Sequence, residues 1–411
     1  MKKVITMALC LTAVGSLSAQ KVNVDNAKKL SGKFDKIEEA RTLIRQAMEN
    51  PETANDAQTY YVAGKIEFDA YDKGLQAGMI NPEDPSANPE AMAQELLNGY
   101  NYFLKALPLD SVPNEKGEIK PKVSKDIVNK ISGHTNDFFA KAGATMYEMK
   151  KYYPEAYQSF MIYADMPDQA FLGNKAPKLD DTSRALAYFN AGLSAYVGNE
   201  LIDAANAFRK ARNFGYNDEE SNGANAYVYE IACWQNLMQR DTTMNDEAQA
   251  RIMDVAKAGN EKFGIAQPVF LNNLVNAYVI AEDFDNALNT VNNLLAANPE
   301  NSNLYGLRGF IYDRMGKDNE SLADYGKAAA LPDCDYETLK NAAKKIYRVG
   351  AVKFGQIDPN DQAAKNRIKT EYYDQAMSIA KRAKAMNASD SDIDHVIDAI
   401  DYALTTYFPA N

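Results

Sequence analysis

Apolar residues recur at intervals of three and four along almost the whole chain after residue 20, and Gly, Pro, Asn and Asp separate the periodic segments. This periodicity is typical of amphipathic α-helices, whereas apolar residues alternate along half-buried strands. The pattern therefore predicts consecutive helices joined by turns. One such helix covers 35–49 and stops at Asn50-Pro51, and an earlier helix starts near Val24.

One spacing within the helical pattern occurs twice. An aromatic, a small, a small, an aromatic and a small residue follow one another at gaps of 4, 12, 4 and 3 residues. The first copy is Tyr188, Gly192, Ala204, Phe208 and Ala211. The second copy is Tyr305, Gly309, Ser321, Tyr325 and Ala328. A related set begins at Leu271, 34 residues before the second copy, and a period of about 34 predicts stacked helix-turn-helix repeats.

The residue classes have a physical reason in such repeats. Two helices of a hairpin cross closely, so small residues such as Gly192 and Gly309 are expected where their backbones approach. We expect the aromatic positions, Phe208 and Tyr325 among them, to fill the gaps between hairpins. No hairpin buries its apolar faces alone, so the stack is the stable unit. The 25 tyrosines of the chain are then mainly packing residues.

The units resemble the tetratricopeptide repeat (TPR) family, whose pattern is aromatic, Leu-Gly, Tyr, then Ala, Phe, Ala and a closing Pro. The matching residues include Tyr188, Gly192, Ala204, Phe208 and Ala211, then Leu274, Tyr278, Ala287 and Pro299, then Tyr305, Gly309, Tyr312, Tyr325 and Ala328. The resemblance is strongest over 185–335. It implies an all-α fold, an α-solenoid of stacked hairpins in a right-handed superhelix, whose concave groove is lined by first helices and binds peptides or proteins.

The pattern divides the chain into three parts. Residues 1–19 read as a signal peptide, 20–335 as the TPR-like array and 336–411 as a C-terminal helical repeat and cap. The cap region carries predicted helices near 336–354, 361–387 and 390–407. Loop insertions interrupt the array near 80–89, 107–123, 167–181 and 240–246.

The N-terminal segment has the three regions of a secretory signal. Lys2 and Lys3 precede the apolar run from Val4 to Val14, and cleavage after Ala19 would leave Gln20 first. A buried N-terminal helix is the alternative. The leader and the Tyr- and Asn-rich composition resemble those of exported envelope TPR proteins of Bacteroidetes-type bacteria. The expected location is the periplasm, the outer membrane surface or the medium.

Charge narrows the classes of partner. The formal net charge is -11, and removal of the two leader lysines makes it more negative still. An acidic surface argues against nucleic acid and anionic lipid as main partners. No segment after the leader approaches 18 uninterrupted apolar residues, so no transmembrane span is predicted.

No arrangement of residues typical of catalysis or metal binding occurs in the sequence. His134 and His395 are the only histidines, and we interpret both as surface or capping residues. Paired-Cys, His-Glu-x-x-His, Gly-x-Ser-x-Gly and phosphate-binding glycine motifs are missing. Cys233 and Cys334 lie about three repeats apart, too far for a disulfide. We predict no catalytic residue, no cofactor and no metal.

The family register implies which residues line the groove. Positions two, five, nine and twelve of each first helix face inward, and the residues we select on this basis are Asn272, Asn276, Phe189, Leu193, Tyr196, Asn303 and Phe310. Amides flanked by aromatic rings suit a peptide, although simple solvent exposure explains the Asn residues equally well. The family's clamp for a terminal carboxylate needs Lys or Arg at matching positions, and these are missing here.

Two functions follow as hypotheses. The first is a non-enzymatic scaffold of the bacterial cell envelope, which binds an unidentified protein or peptide partner and belongs to an envelope complex. The alternative is a glycan-binding accessory protein of the envelope that uses surface aromatic residues.

Overall fold

The computed structural model describes residues 21–409. At Phe34 it describes the backbone but not the side chain. Every regular element within this range is helical, and the range holds no strand. The predicted all-α fold of stacked helical hairpins is confirmed. The signal peptide predicted over 1–19 lies outside the described residues, and the handedness of the superhelix stays a prediction.

The chain divides into two compact units, Met1–Arg240 (unit 1) and Asp241–Asn411 (unit 2). The division falls in the turn where an insertion near 240–246 was predicted. By contrast, the predicted array end at residue 335 is not a boundary between units. Buried residues on both sides of it, such as Tyr325 and Ala342, belong to one hydrophobic core.

Unit 1 contains five first helices and four second helices, which alternate along the chain. Helix α1 covers 21–31 of the described residues, and the next ones are α2 (Ile37–Glu49), α3 (Ala57–Ile80), α4 (Pro89–Asp110) and α5 (Ser124–Gly133). Helix α6 is α-helical over Thr135–Asp137, π-helical over Phe138–Gly143 and α-helical over Ala144–Glu148, and with α5 it forms one first helix. The last ones are α7 (Tyr153–Asp165), α8 (Asp181–Val197), α9 (Leu201–Asn213) and α10 (Ala224–Arg240).

Unit 2 has the same alternation. Its helices are α11 (Asn245–Phe263), α12 (Pro268–Ile280), α13 (Phe284–Ala297), α14 (Ser302–Arg314), α15 (Asp318–Ala330) and α16 (Tyr336–Phe354). Helix α17 follows over Gln362–Ile368, a π-helical segment Lys369–Asp374 and Gln375–Met386, and α18 covers Ser391–Tyr407. The three C-terminal helices therefore lie where the apolar periodicity placed them. The middle one contains a π-helical segment that the periodicity did not indicate.

The connector after α4 is shorter than the break predicted over 107–123. Helix α4 continues through Pro108 to Asp110, and the connector begins at residue 111. The Asp110 carboxylate accepts hydrogen bonds from the backbone N–H groups of Lys122, Val123 and Ser124, at 2.8 to 3.0 Å. A single buried side chain thus holds the two ends of the connector together.

The repeated spacing of glycine and aromatic residues corresponds to one contact inside the hairpins that carry it. An aromatic ring of the second helix lies directly on a glycine of the first, and a Cβ added to Gly192 would come 2.6 Å from Cε1 of Phe208. The same arrangement joins Gly64 to Phe103, Gly143 to Phe160 and Gly309 to Tyr325. The prediction that Phe208 and Tyr325 fill gaps between hairpins was incomplete, because their rings first close the hairpin that carries them.

We predict that Gly192→Ala destabilises the protein by about 1–3 kcal/mol, because the added methyl group overlaps a buried ring in close-packed surroundings. Gly326→Ala is the matched control: it lies inside α15, and nothing would lie within 4 Å of its added Cβ. This control should stabilise the helix by about 0.5–1 kcal/mol. Denaturant unfolding followed by circular dichroism measures both. Equal effects of the two substitutions would contradict the ring-on-glycine contact.

Candidate partner-binding face formed by the first helices

In unit 2 the first helices α12, α14, α16 and α18 pack side by side in chain order. Asn272 and Asn276 of α12 are exposed, while Asn303 of α14 is half-buried. The Asn303 Nδ2 group donates to Oδ1 of Asn272 at 3.5 Å, so these two selected amides do meet across adjacent helices. Phe310 is half-buried and packs against the unit 2 core.

Charged bridges that the sequence did not reveal join the later helices of this face. The Lys345 ammonium is 1% exposed and lies 2.6 Å from Asp313 Oδ1 and 2.5 Å from Asp318 Oδ1. Arg348 also pairs with Asp313. Because Lys345 donates a hydrogen bond to Asp318, it holds the pKa of that carboxyl below its ordinary value. The sequence signal for these bridges is the run of basic residues on α16. The family register was applied to α12 and α14 but not to α16, so it did not include them.

The next bridge along the face joins α16 to α18. Asp390, the N-cap of α18, accepts hydrogen bonds from the Tyr336 hydroxyl and the Asp392 backbone N–H, and from Lys340 at 3.1 Å. These donors hold the pKa of Asp390 at about 2. Cations are thus present on this face, but they are paired with carboxylates of the protein itself. Lys344 and Arg348 are more accessible than Lys340 and Lys345, since their side chains are 43% and 62% exposed. Lys344 lies 3.8 Å from Asp392.

The selected residues of unit 1 lie on α8 and differ in accessibility. Phe189 is only 7% exposed, because its ring stacks on Tyr216 with centroids 4.0 Å apart and meets Phe208 edge-on. Its place in the family register was predicted to face a groove, whereas here it is part of an aromatic cluster. The Phe189 side chain therefore has little accessible surface with which to contact a partner in the groove.

Leu193 and Tyr196 are half-buried. Leu193 lines a small cavity of about 130 Å³ together with Tyr147 and Phe160. The Tyr196 hydroxyl accepts a hydrogen bond from Asn236 Nδ2 at 3.3 Å, and its ring meets Tyr229 edge-on. Tyr196 therefore links α8 to α10, the next first helix of unit 1, and keeps part of its surface accessible.

His134 is the C-cap residue of α5, as the sequence indicated, but it is half-buried rather than on the surface. Its Nε2 atom lies 2.7 Å from Asp72 Oδ1 and its Nδ1 atom 2.8 Å from the Lys130 carbonyl oxygen. The ring also meets Phe68 edge-on. Both ring nitrogens face acceptors, so only the doubly protonated ring can donate at both. Asp72 lies 62 positions away from His134 in the sequence, so the pair gives no local signal.

The pKa shifts of this pair follow from the same geometry. Burial opposes charging of the His134 ring, but the hydrogen bonds to Asp72 and the Lys130 carbonyl outweigh it and raise the pKa of His134. Burial likewise opposes ionisation of Asp72, and the hydrogen bond from His134 outweighs it and lowers the pKa of Asp72. Asp137 also faces the imidazole, and Lys130 lies 3.9 Å from Asp72.

The rest of the described range offers no further chemistry. Residues 21–409 contain no group of three His, Cys, Asp or Glu side chains placed to hold a metal ion. His395 is exposed on α18, and Cys233 and Cys334 are separately buried free thiols. Burial raises the pKa of Cys233 to about 12, which keeps it as an unreactive thiol. None of the helices in this range has the length and apolar character needed to cross a membrane.

Comparisons with known proteins add little beyond the fold. No family model matches the chain, and no curated protein matches it. Among solved structures, the APC/C hetero-tetramer Cut9–Hcn1 is similar at 11% identity over 91% of this chain and 74% of that one, with a TM-score of 0.28. Yeast Tom70 is similar at 12% identity over 93% of this chain and 96% of that one, with a TM-score of 0.25. Such low TM-scores support no argument about function.

We predict that the His134–Asp72 pair stabilises the protein most between about pH 4 and pH 6.5. The raised pKa of His134 means that its contribution is complete below the unfolded value and disappears as pH rises through the folded one. The lowered pKa of Asp72 means that its contribution disappears only in acid. His134→Gln should therefore cost more unfolding free energy at pH 5.5 than at pH 9. The control His395→Gln should show no such difference, and a pH-independent cost for His134→Gln would refute the assignment.

Proposed function

We propose that this chain is a non-enzymatic scaffold that binds a protein or peptide partner across the first helices of unit 2. The amide row of Asn272, Asn276 and Asn303 carries the proposal. Two of these amides are exposed, and the third is half-buried and contacts Asn272 on the neighbouring helix. An amide offers both a donor and an acceptor, so a row of them can pair with the N–H and C=O groups of an extended peptide.

The surroundings of the amide row favour a peptide chain over a small molecule as the ligand. Phe310 supplies a half-buried ring on α14, against which an apolar side chain can pack. Lys345, Arg348 and Lys340 are neutralised by Asp313 and Asp390. The face therefore recognises a partner by backbone hydrogen bonds and apolar contact, and Lys344 and Arg348 are the more exposed cations of α16.

The location of this scaffold is part of the proposal. The basic start and apolar run of the first 19 residues support export to the bacterial envelope. Cell fractionation tests this, and a protein that stays in the cytosol with its first 19 residues intact would count against it.

Glycan binding is the weaker alternative. A sugar-binding site needs an accessible aromatic face, but Phe189 is stacked on Tyr216, and Tyr196 is half-buried against Asn236 and Tyr229. Retention on a polysaccharide affinity gel that is lost in Tyr196→Ala would favour the glycan hypothesis over the peptide one.

A photo-crosslinking residue placed at position 276 tests which face meets the partner. Asn289 is the matched control, since it is an exposed asparagine on the second helix α13. In cells that produce the protein, position 276 should form an adduct of defined mass and position 289 should not. Adducts at both positions, or at neither, would contradict the proposal.

We further predict that Asn272→Ala/Asn276→Ala weakens binding of the captured partner at least tenfold, because each lost pair of hydrogen bonds leaves partner groups unsatisfied. The control Asn289→Ala/Asn293→Ala removes two exposed amides at the same spacing from α13. It should leave the Kd unchanged in isothermal titration calorimetry. Equal losses in the two double variants would show that the amide row is not the contact surface.

A further inference from the structure

Unit 1 contains a cleft of about 580 Å³ that the proposed function does not use. We call it the unit 1 cleft and define it by Leu75, Gly78, Met79, Met92, Asp137 and Ala140. Its walls are the C-terminal half of α3, the start of α4 and the π-helical part of α6. The lining is mostly apolar, with Asp137, Lys141 and Thr145 as its polar residues.

Two glycines of α3 and one π-helical segment shape the cleft. A Cβ on Gly74 would come 2.6 Å from the Ser86 carbonyl oxygen, and a Cβ on Gly78 would come 3.0 Å from the Ala87 side chain. The connector between α3 and α4 therefore lies directly on the α3 backbone. The opposite wall is π-helical over Phe138–Gly143. Segments of π-helix are rare in proteins, and where they occur they often lie at functional sites.

Apolar side chains at the edge of the cleft are unusually exposed. Met79 is 83% exposed and the adjacent Ile80 is 88% exposed, the highest values among the large apolar side chains of the described residues. Methionine is flexible and polarizable, so Met79 and Met92 can adapt to an incoming side chain. Exposed apolar residues beside an apolar concavity mark an interaction surface.

Asp137 is the carboxylate of the cleft lining, which also includes the Lys141 ammonium. Asp137 is half-buried, and it forms no ion pair with a described residue, although the Tyr71 hydroxyl and the His134 ring lie near it. Burial raises the pKa of Asp137. Lys141 is exposed and does not come within 4.0 Å of that carboxylate. A cation placed beside Asp137 would compensate for its lost hydration, and the acidic chain would attract such a cation.

We propose that the unit 1 cleft is a second docking site, for a peptide segment of a basic partner. An aliphatic or methionine side chain of the segment enters between Met79, Met92 and Ala140. A neighbouring Lys or Arg of the same segment pairs with Asp137. This site is separate from the amide row of unit 2 and does not depend on it.

Selection of a displayed library of random twelve-residue peptides on the full-length protein tests the proposal. Selected peptides that compete with one another and still bind Asn272→Ala/Asn276→Ala report on a site outside the amide row. We expect these peptides to share an aliphatic or Met residue next to Lys or Arg. Selection on Asp137→Lys should shift the enriched charge to Glu or Asp, whereas the control Asp254→Lys, an exposed acid of α11, should leave the motif unchanged.

Two substitutions check that such peptides occupy the cleft. Ala140→Trp fills it, and Met79→Lys places a positive charge at its edge, at a position that is 83% exposed and therefore tolerant. Each should weaken a selected peptide at least tenfold in fluorescence polarization, with unchanged circular dichroism. Selected peptides without a basic residue, or peptides that bind both variants with unchanged affinity, would overturn the assignment. Loss of binding only in the amide-row variant would instead support the unit 2 face alone.

Discussion

The structure depends on a contact between an aromatic ring and a glycine that recurs within its hairpins. Phe208 on Gly192 and Tyr325 on Gly309 close two hairpins in the same way, one in each unit. The ring can approach only because the glycine carries no Cβ, and the contact sets how closely the two helices cross. Once such a hairpin is closed at this distance, its apolar faces become complementary to the neighbouring hairpins, and the stack supplies the burial that one hairpin lacks.

Polar bridges between first helices make up the second level of organisation. The His134–Asp72 pair joins α3 to the α5–α6 helix in unit 1, and the Lys345–Asp313 pair joins α14 to α16 in unit 2. The two charges of each pair neutralise each other, so they are not available to a partner. The surface left for recognition is therefore made of amides, half-buried rings and a few accessible ions. This is the physical reason for expecting recognition of peptide backbone and apolar side chains at the unit 2 face.

The fold was largely predictable from the sequence, and the site was only partly so. The 4-12-4-3 spacing is local and reports the Gly192–Phe208 contact, so hairpins and their turns follow from it. The register of equivalent helices placed Asn272 and Asn303 on one face, and the structure adds their contact. The burial of Phe189 did not follow from the register, because it depends on Tyr216 and Tyr229 from a connector and another helix. His134 escaped for the same reason, since its partner Asp72 lies 62 residues away.

The central claim is that the aromatic ring and the glycine form one interacting pair, and a double-mutant cycle tests it most directly. Gly192→Ala, Phe208→Leu and the double variant would be unfolded with denaturant, and their free energies of unfolding compared. The ring-on-glycine account predicts that Gly192→Ala costs much less when Phe208 is already leucine, because the overlapping ring is gone. An equal cost of Gly192→Ala in both backgrounds would contradict it.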